Sequence, residues 1–355
     1  MAVTYTIGGV DTTLIAVDQL AAFADFGQTV NHWLTDMFFP RRVDITDTKV
    51  PVALLNLDNP IAPFVSPCVE GRPIKESGTA NVQFLQPAYL KPKSTITPCT
   101  VYNAAVVARL RELGLIGAGK LSYAESLQVA QVEKLRLNHD SIDNRIELMA
   151  AEAFTTGKIT IQSDDIKLNQ VDFGRDASLT FSPTVVWTDP AATVVADIQL
   201  LVNRMIAKGN IAPRMAVMSS AVFNAALTNA AFKAAFITPY AGVSVVGENR
   251  FIDGRSAQFM GSFGGIEFWV YDASITHDGT TTRFIPADGF YLVGDTNSVI
   301  AYTMIENLEA YGESMQYFDS MWYNKDPSAL YLLTESAPLP VLNNPNAVAG
   351  GVDFV

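Results

Sequence analysis

Apolar residues recur at helical spacing ahead of the first clear stop in the chain. Leu20, Phe23, Val30, Leu34 and Met37 precede Phe38-Phe39-Pro40, which predicts a mobile N-terminal end followed by a helical segment closed by the proline. Residues 43 to 57 then alternate Val43, Ile45, Val50, Val52 and Leu54 with polar neighbours, as an extended segment does. The strongest periodicity lies between 122 and 156. There Ala124, Leu127, Gln131, Leu135, Ile142, Ile146, Met149 and Ala153 trace one mostly apolar stripe. Ser122 with Glu125 forms a capping box at its start, and Gly157 follows it as a C′ residue. At 1.5 Å per residue such a helix is roughly 50 Å long, the length of a beam. Strand signals follow at 158 to 187, carried by Ile159, Ile161, Ile166, Leu168 and Val171 and then by Leu179, Phe181, Val185, Val186 and Trp187. Residues 190 to 300 read as an α/β region, with helices near 191 to 208 and 219 to 235 and strands at 215 to 218, 266 to 272 and 290 to 293. Strand character returns from 301 to 342, with alternation at 329 to 333.

The stretch from 58 to 98 departs from this regularity. Seven prolines (60, 63, 67, 73, 87, 92 and 98) interrupt short β-prone pieces such as 81 to 85. Proline removes ladder donors, so the stretch suits a sheet edge or a projecting hairpin, with its tip at Lys75-Glu76-Ser77-Gly78. Two strands alone are barely stable in water, so such a hairpin needs a neighbour to lie on. The chain shows neither an internal repeat nor a low-complexity tract.

Composition narrows the function classes. The 355 residues are 49% hydrophobic and 17% charged, enough for a sizeable core in two packed regions. The opening residues carry neither a basic nor an apolar targeting region, and no run of eighteen apolar residues occurs, so export and membrane insertion are not expected. A net charge of -12 argues against a mechanism that works by neutralising phosphates. Cys68 and Cys99 have no metal spacing and form no disulfide framework.

The candidate chemistry is thin. Asp172-Phe173-Gly174 spells the kinase metal-binding tripeptide, but no phosphate loop or catalytic loop accompanies it, and it reads as a strand end. Gly114-Leu115-Ile116-Gly117-Ala118-Gly119 lacks the order of a dinucleotide fingerprint and the Lys-Ser/Thr of a P-loop, and reads as a joint before the long helix. His32, His139 and His277 are scattered, and the carboxylate pairs Asp164-Asp165 and Asp140 with Asp143 are explained by a turn and an exposed helix face. No catalytic, cofactor-binding or metal site is expected, and no enzyme.

One set of residues is recognisable in its order. Val65-Ser66-Pro67 with Val69 and Gly71, Tyr89 before Lys91-Pro92-Lys93, and Pro98 stand at similar spacings in the lambda-like major capsid proteins. Ala130-Gln131-Val132-Glu133, Val171-Asp172 with Gly174-Arg175, Phe284 with Pro286, Gly294 with Thr296, Asp326-Pro327 and Ser336-Ala337-Pro338-Leu339 continue the match. The chain thus resembles the capsid protein E family from about 65 to 340.

The resemblance implies an α+β Hong Kong 97-type capsid fold. Its parts would be an N-terminal arm (1–45), a connecting strand (46–56), an extended E-loop hairpin (57–98) and a peripheral domain with the spine helix (99–189). An axial domain (190–301), a return to the peripheral domain (302–343) and a C-terminal tail (344–355) would follow. It also implies a virion subunit, assembled in the host cytoplasm into pentamers and hexamers with scaffold, portal and cement or decoration partners. The shell would enclose double-stranded DNA without reading its sequence and without a membrane. Arg72, Lys75, Glu76, Lys91 and Lys93 are the charged candidates for inter-subunit contact, and Phe84 and Tyr89 the apolar anchors. Two other readings remain at this point: an encapsulin-like compartment of the same fold, and an enzyme or sugar-binding α/β protein, which would need a convergent polar site.

Overall fold

The computed structural model describes residues 4–7, 10–13, 32–54, 81–98, 123–162, 169–236, 250–251, 257–277, 279–310 and 312–355. Its helices are α1 (Trp33–Phe38), α2 (Tyr123–Thr156), α3 (Val194–Gly209), α4 (Ser220–Thr228) and α5 (Ala230–Phe236).

A six-stranded mixed sheet organises half of the molecule. Its order is Arg250–Phe251, Ala257–Phe263, Ile266–Tyr271, Met215–Met218, Phe290–Val293 and Val348–Gly351. The central strands are buried on both faces, and period-2 alternation deals their side chains to two different cores. Ala216, Met218, Phe268, Val270, Phe290 and Leu292 face α3, α4 and α5. Val217, Trp269, Tyr271, Tyr291 and Val293 face α1 and the C-terminal half of α2. The sheet is therefore the wall between two hydrophobic cores.

The long helix matches its sequence signature closely. It spans 34 residues, and Leu127, Gln131, Leu135, Ile142, Ile146, Met149 and Ala153 are all buried. Gly157 ends it at φ 73, its amide donating to the Ala153 carbonyl at 2.9 Å. This is the left-handed cap that glycine adopts without strain. The box residue Ser122 lies outside the described residues, as do Leu20, Phe23 and Val30 of the expected N-terminal helical pattern.

Two three-stranded sheets flank the helix. Phe318–Lys325, Ser328–Glu335 and Lys93–Ile96 form one in that order, with Leu330, Leu332 and Ile96 packed on Leu127 and Ala130. Pro338–Val341, Val299–Tyr302 and Arg41–Asp44 form the other. Its two prolines stand on an edge strand, where a missing ladder donor costs least. Val50–Leu54 pairs antiparallel with Asn81–Leu85, so a two-stranded stem leads into and out of residues 55–80.

The structure departs from the sequence reading at five places. Thr4–Ile7 and Val10–Thr13 form an antiparallel pair around Gly8-Gly9 instead of a featureless end, Gly-Gly between two β-prone runs being a hairpin signal in its own right. Residues 179 to 187 are not a strand: Ala177–Leu179 is a short 3-10 turn, and Trp187 is buried against Phe290 and Phe354. The helix expected over 219 to 235 is two helices, because the Asn229 side chain accepts the amides of Ala231 and Phe232 and starts a new one. Val50–Leu54, expected within a connecting strand, is paired antiparallel with Asn81–Leu85. Val348–Gly351, expected within a tail, is an edge strand of the six-stranded sheet. Phe354 beyond it is fully buried. Gly350 allows this approach, since a Cβ there would collide with the Phe290 carbonyl oxygen.

Candidate functional site

The chemistry-bearing side chains gather along the spine helix α2 and the strands that cross it. Glu335 sits at the end of Ser328–Glu335, fully buried. Its carboxylate accepts the Tyr89 hydroxyl at 2.7 Å and the Asn307 amide at 3.2 Å, and the Lys91 ammonium stands 3.3 Å away. The same ammonium lies 4.8 Å from the Tyr89 ring centre. Burial and the neighbouring Glu335 hold the Tyr89 phenol well above its ordinary value. Lys93, two residues on, spans the outer face of the adjoining sheet, 4.0 Å from the Tyr331 ring centre and 5.1 Å from that of Trp322.

A second network crosses the middle of α2, where its apolar stripe is interrupted between Leu135 and Ile142. Ser94 donates to Asn138 at 2.6 Å, Asn138 donates to Thr334 at 3.3 Å, and Thr334 donates to Asp319 at 2.5 Å. His139 Nε2 lies 2.9 Å from the same Asp319 carboxylate, and its ring stacks on Tyr317 at 4.2 Å. The Tyr317 hydroxyl donates to Asp143, and burial beside that carboxylate raises the phenol far above the usual range. Each polar group here has a partner, which a buried polar seam requires.

A third centre joins three parts of the chain at one carboxylate. Glu147, buried, accepts the Leu34 and Thr35 amides at 2.9 Å each, the Thr35 hydroxyl, and the Tyr271 hydroxyl at 3.0 Å. It thereby satisfies the first amides of α1, while Trp33 packs on Trp269 and Tyr271. Burial pushes the Glu147 carboxyl up against the opposing pull of Thr35 and Leu34.

Of the candidate contact residues, Tyr89, Lys91 and Lys93 have partners within their own chain. Phe84, on the hairpin stem, is 63% exposed. Arg72, Lys75 and Glu76 lie outside the described residues, with Cys68, Cys99, Asp164-Asp165 and the 114 to 119 glycine segment. Asp172 ends a strand and pairs with Lys158 at 2.8 Å, which lowers its carboxyl, while Phe173 is buried. Asp140 lies 3.7 Å from Arg136. Among the described residues no group of His, Cys, Asp and Glu is arranged to hold a metal ion.

Glu147, Glu335 and the His139–Asp319 pair are not evident from sequence. A signal exists for one of them: Asn138-His139 breaks the helical stripe.

The chain is matched over residues 16–352 by the family described as phage major capsid protein E. It belongs to that family. Its relatives include the major capsid protein of Enterobacteria phage P21, 26% identical over 350 residues, covering 94% of this chain and 97% of that protein. The major capsid protein of Escherichia phage lambda is 23% identical over 335 residues, covering 87% and 90%. A crystal structure described as a prophage capsid protein from Escherichia coli CFT073 superposes with a TM-score of 0.65 at 19% identity, over 99% of both chains. The mixed helix-and-strand architecture is the Hong Kong 97-type capsid fold, and the chain is a major capsid protein of a tailed phage. No described helix is long and apolar enough to cross a membrane.

Proposed function

We propose that this capsid protein closes a head shell by self-assembly into pentamers and hexamers, with the hairpin rooted at Val50–Leu54 and Asn81–Leu85 reaching a neighbouring subunit. The observation that carries the reading is this stem. Among the described residues its two strands pair with each other, and Phe84 stands exposed on it. An apolar side chain on a narrow two-stranded ribbon is stabilised when another surface covers it. Arg72, Lys75 and Glu76 belong to the segment that the stem presents, and make charged contacts there.

Tyr89, Lys91 and Lys93 act at one remove from the neighbour. Clamped on Glu335, Tyr331 and Trp322, they orient the base of the hairpin. Their remaining exposed surface contributes to the contact, Lys91 being half exposed. To the N-terminal arm, peripheral and axial parts we assign the boundaries given above, with 50–54 joined to the hairpin and 348–351 to the six-stranded sheet.

The role is structural, with no reaction and no cofactor. Assembly takes place in the host cytoplasm, with a separate scaffold, a portal and a cement protein as partners. The net charge of -12 suits a container whose wall repels the packaged duplex weakly and lets it slide. Family membership and the P21 and lambda relatives favour a phage head over an encapsulin-like compartment. Removing residues 57–78 while keeping the stem tests the reading. The variant stays a folded, soluble subunit and forms no shells; normal shells would overturn the role given to the hairpin.

A further inference from the structure

Two features at opposite ends of one strand complement each other in shape and charge. The first is a cleft of about 260 Å³ between the α1 segment and the loop before Val299–Tyr302, lined among others by Met37, Pro40, Arg41, Arg214, Asn297 and Ser298. Most described arginines are engaged: Arg42 with Gln316, Arg136 with Asp140, Arg175 with Thr155, Arg204 with Ser178 and Arg283 with Asp272. Arg41 and Arg214 make no side-chain hydrogen bond or ion pair among the described residues. Asp295 also lines the cleft, its carboxylate accepting the Asn297 amide at 3.1 Å. Two guanidinium groups in one cleft with no side-chain partner among the described residues are conspicuous in a chain with 36 acidic residues and 24 basic ones.

The second feature is the loop from Glu306 to Glu313. It is pinned at its base by the Ile305 amide on the Glu313 carbonyl at 3.1 Å, and inside by the Ala310 amide on Asn307 and by Asn307 on Glu335. Ile305 and Ala310 are buried beneath it. At its tip Leu308 is 94% exposed, more than any other large apolar side chain described. Glu306, Glu309 and Glu313 are exposed near it in the sequence, and residues 306–313 include no basic residue. A pinned loop that carries one exposed leucine together with exposed carboxylates matches a cleft with an apolar floor and two arginines.

The register shows why a subunit does not fill its own cleft. Arg41 pairs with Val299 at one end of the sheet and Asp44 with Tyr302 at the other, and the loop follows Tyr302. Three strand steps of about 3.3 Å already separate the two features by roughly 10 Å on a rigid element. Resting on the shell-subunit reading above, we infer that the Glu306–Glu313 loop of one copy seats in the Arg41–Arg214 cleft of the next. Leu308 lies against Met37 and Pro40, and Glu306 and Glu309 face the two guanidinium groups. Such a contact is heterologous, and repetition closes a ring when the rotation allows.

Charge exchange tests it. Purified wild type, Arg41→Glu/Arg214→Glu, Glu306→Arg/Glu309→Arg and the fourfold combination are compared by negative-stain microscopy and sedimentation at low salt. Thermal melting checks that each is folded; all four positions are exposed. Each double variant lowers the shell yield by at least about tenfold, and the fourfold variant restores it, because like charges face each other only in the doubles. Double variants that assemble as wild type does, or a folded fourfold variant that does not recover, overturn the contact. Should the fourfold variant melt early, Leu308→Asp and Arg41→Gln/Arg214→Gln decide, undiminished shells again counting against it. A cleft variant that assembles normally yet loses affinity for a DNA duplex assigns the arginines to phosphate and also overturns it. Wild type that forms no shells even after co-expression with the neighbouring genes rejects the shell reading itself, and this contact with it.

Discussion

Glu147 shows how much of this fold rests on single buried carboxylates. Four donors from two distant segments converge on it, and burial raises its carboxyl above the ordinary range. Glu147→Gln leaves an amide NH₂ facing backbone donors, which costs roughly 1 to 3 kcal/mol. The pH dependence follows from the direction of the shift. A raised folded-state value stabilises the native state below the ordinary carboxylate range, and that contribution is lost as pH rises through the folded value. The deficit of the Gln variant relative to wild type is therefore largest in acid and narrows toward neutral pH, as denaturant titrations across that range will show. A deficit that widens with pH contradicts the assignment. At Glu335 the ranking of partners is testable in the same way. Tyr89→Phe removes a hydroxyl from a buried charge and destabilises by about 1 to 3 kcal/mol. Lys91→Ala, whose side chain is half exposed, costs about 1 kcal/mol or less. Neither carboxylate announces itself in the sequence, because the donors that need them, Tyr89 and the first amides of α1, lie on segments far away in the chain.

The elements are legible wherever one face of a regular period is buried. The spine helix is visible because seven of its stripe residues are buried on a single face, and a glycine cap closes it. Leu135→Ala in that stripe is expected to cost about 2 to 5 kcal/mol. Gly157→Ala should cost at least about 1 kcal/mol, since φ 73 disfavours a side chain and the added Cβ would meet Arg175 at 2.9 Å. Melting curves of the two variants check both values; an unchanged Gly157→Ala contradicts the cap. The strand Val348–Gly351 is not legible because Val-Ala-Gly-Gly carries little β signal. Its place comes from close backbone approach to Phe290 and from Phe354 anchoring behind it. The break at Asn229 is hidden by alanine-rich flanks of high helix propensity, and the capping side chain overrides them.

For the whole molecule, the proline pattern of 58 to 98 by itself marks an edge or a projection. The Lys93–Ile96 edge strand and the exposed Phe84 stem agree with it. Which surfaces meet in a shell is not legible, because complementarity between copies depends on where the fold brings distant segments. The cleft at Arg41 and Arg214, drawn from positions 173 apart in the chain, is one case. The six-stranded sheet shared by two cores predicts joint unfolding of both. Loss of tertiary signal from Trp187 on one side and Trp33 on the other should coincide in a single transition, and two separate transitions would argue against a shared wall.

The central claim, that this chain closes a head shell by itself or with its scaffold, is tested most directly by negative-stain electron microscopy. The purified protein is imaged over a range of concentration and salt, alone and after co-expression with the neighbouring genes. Closed hollow shells, or rings of five and six subunits, are the predicted result. A monomer at every concentration, unchanged by co-expression, would contradict it.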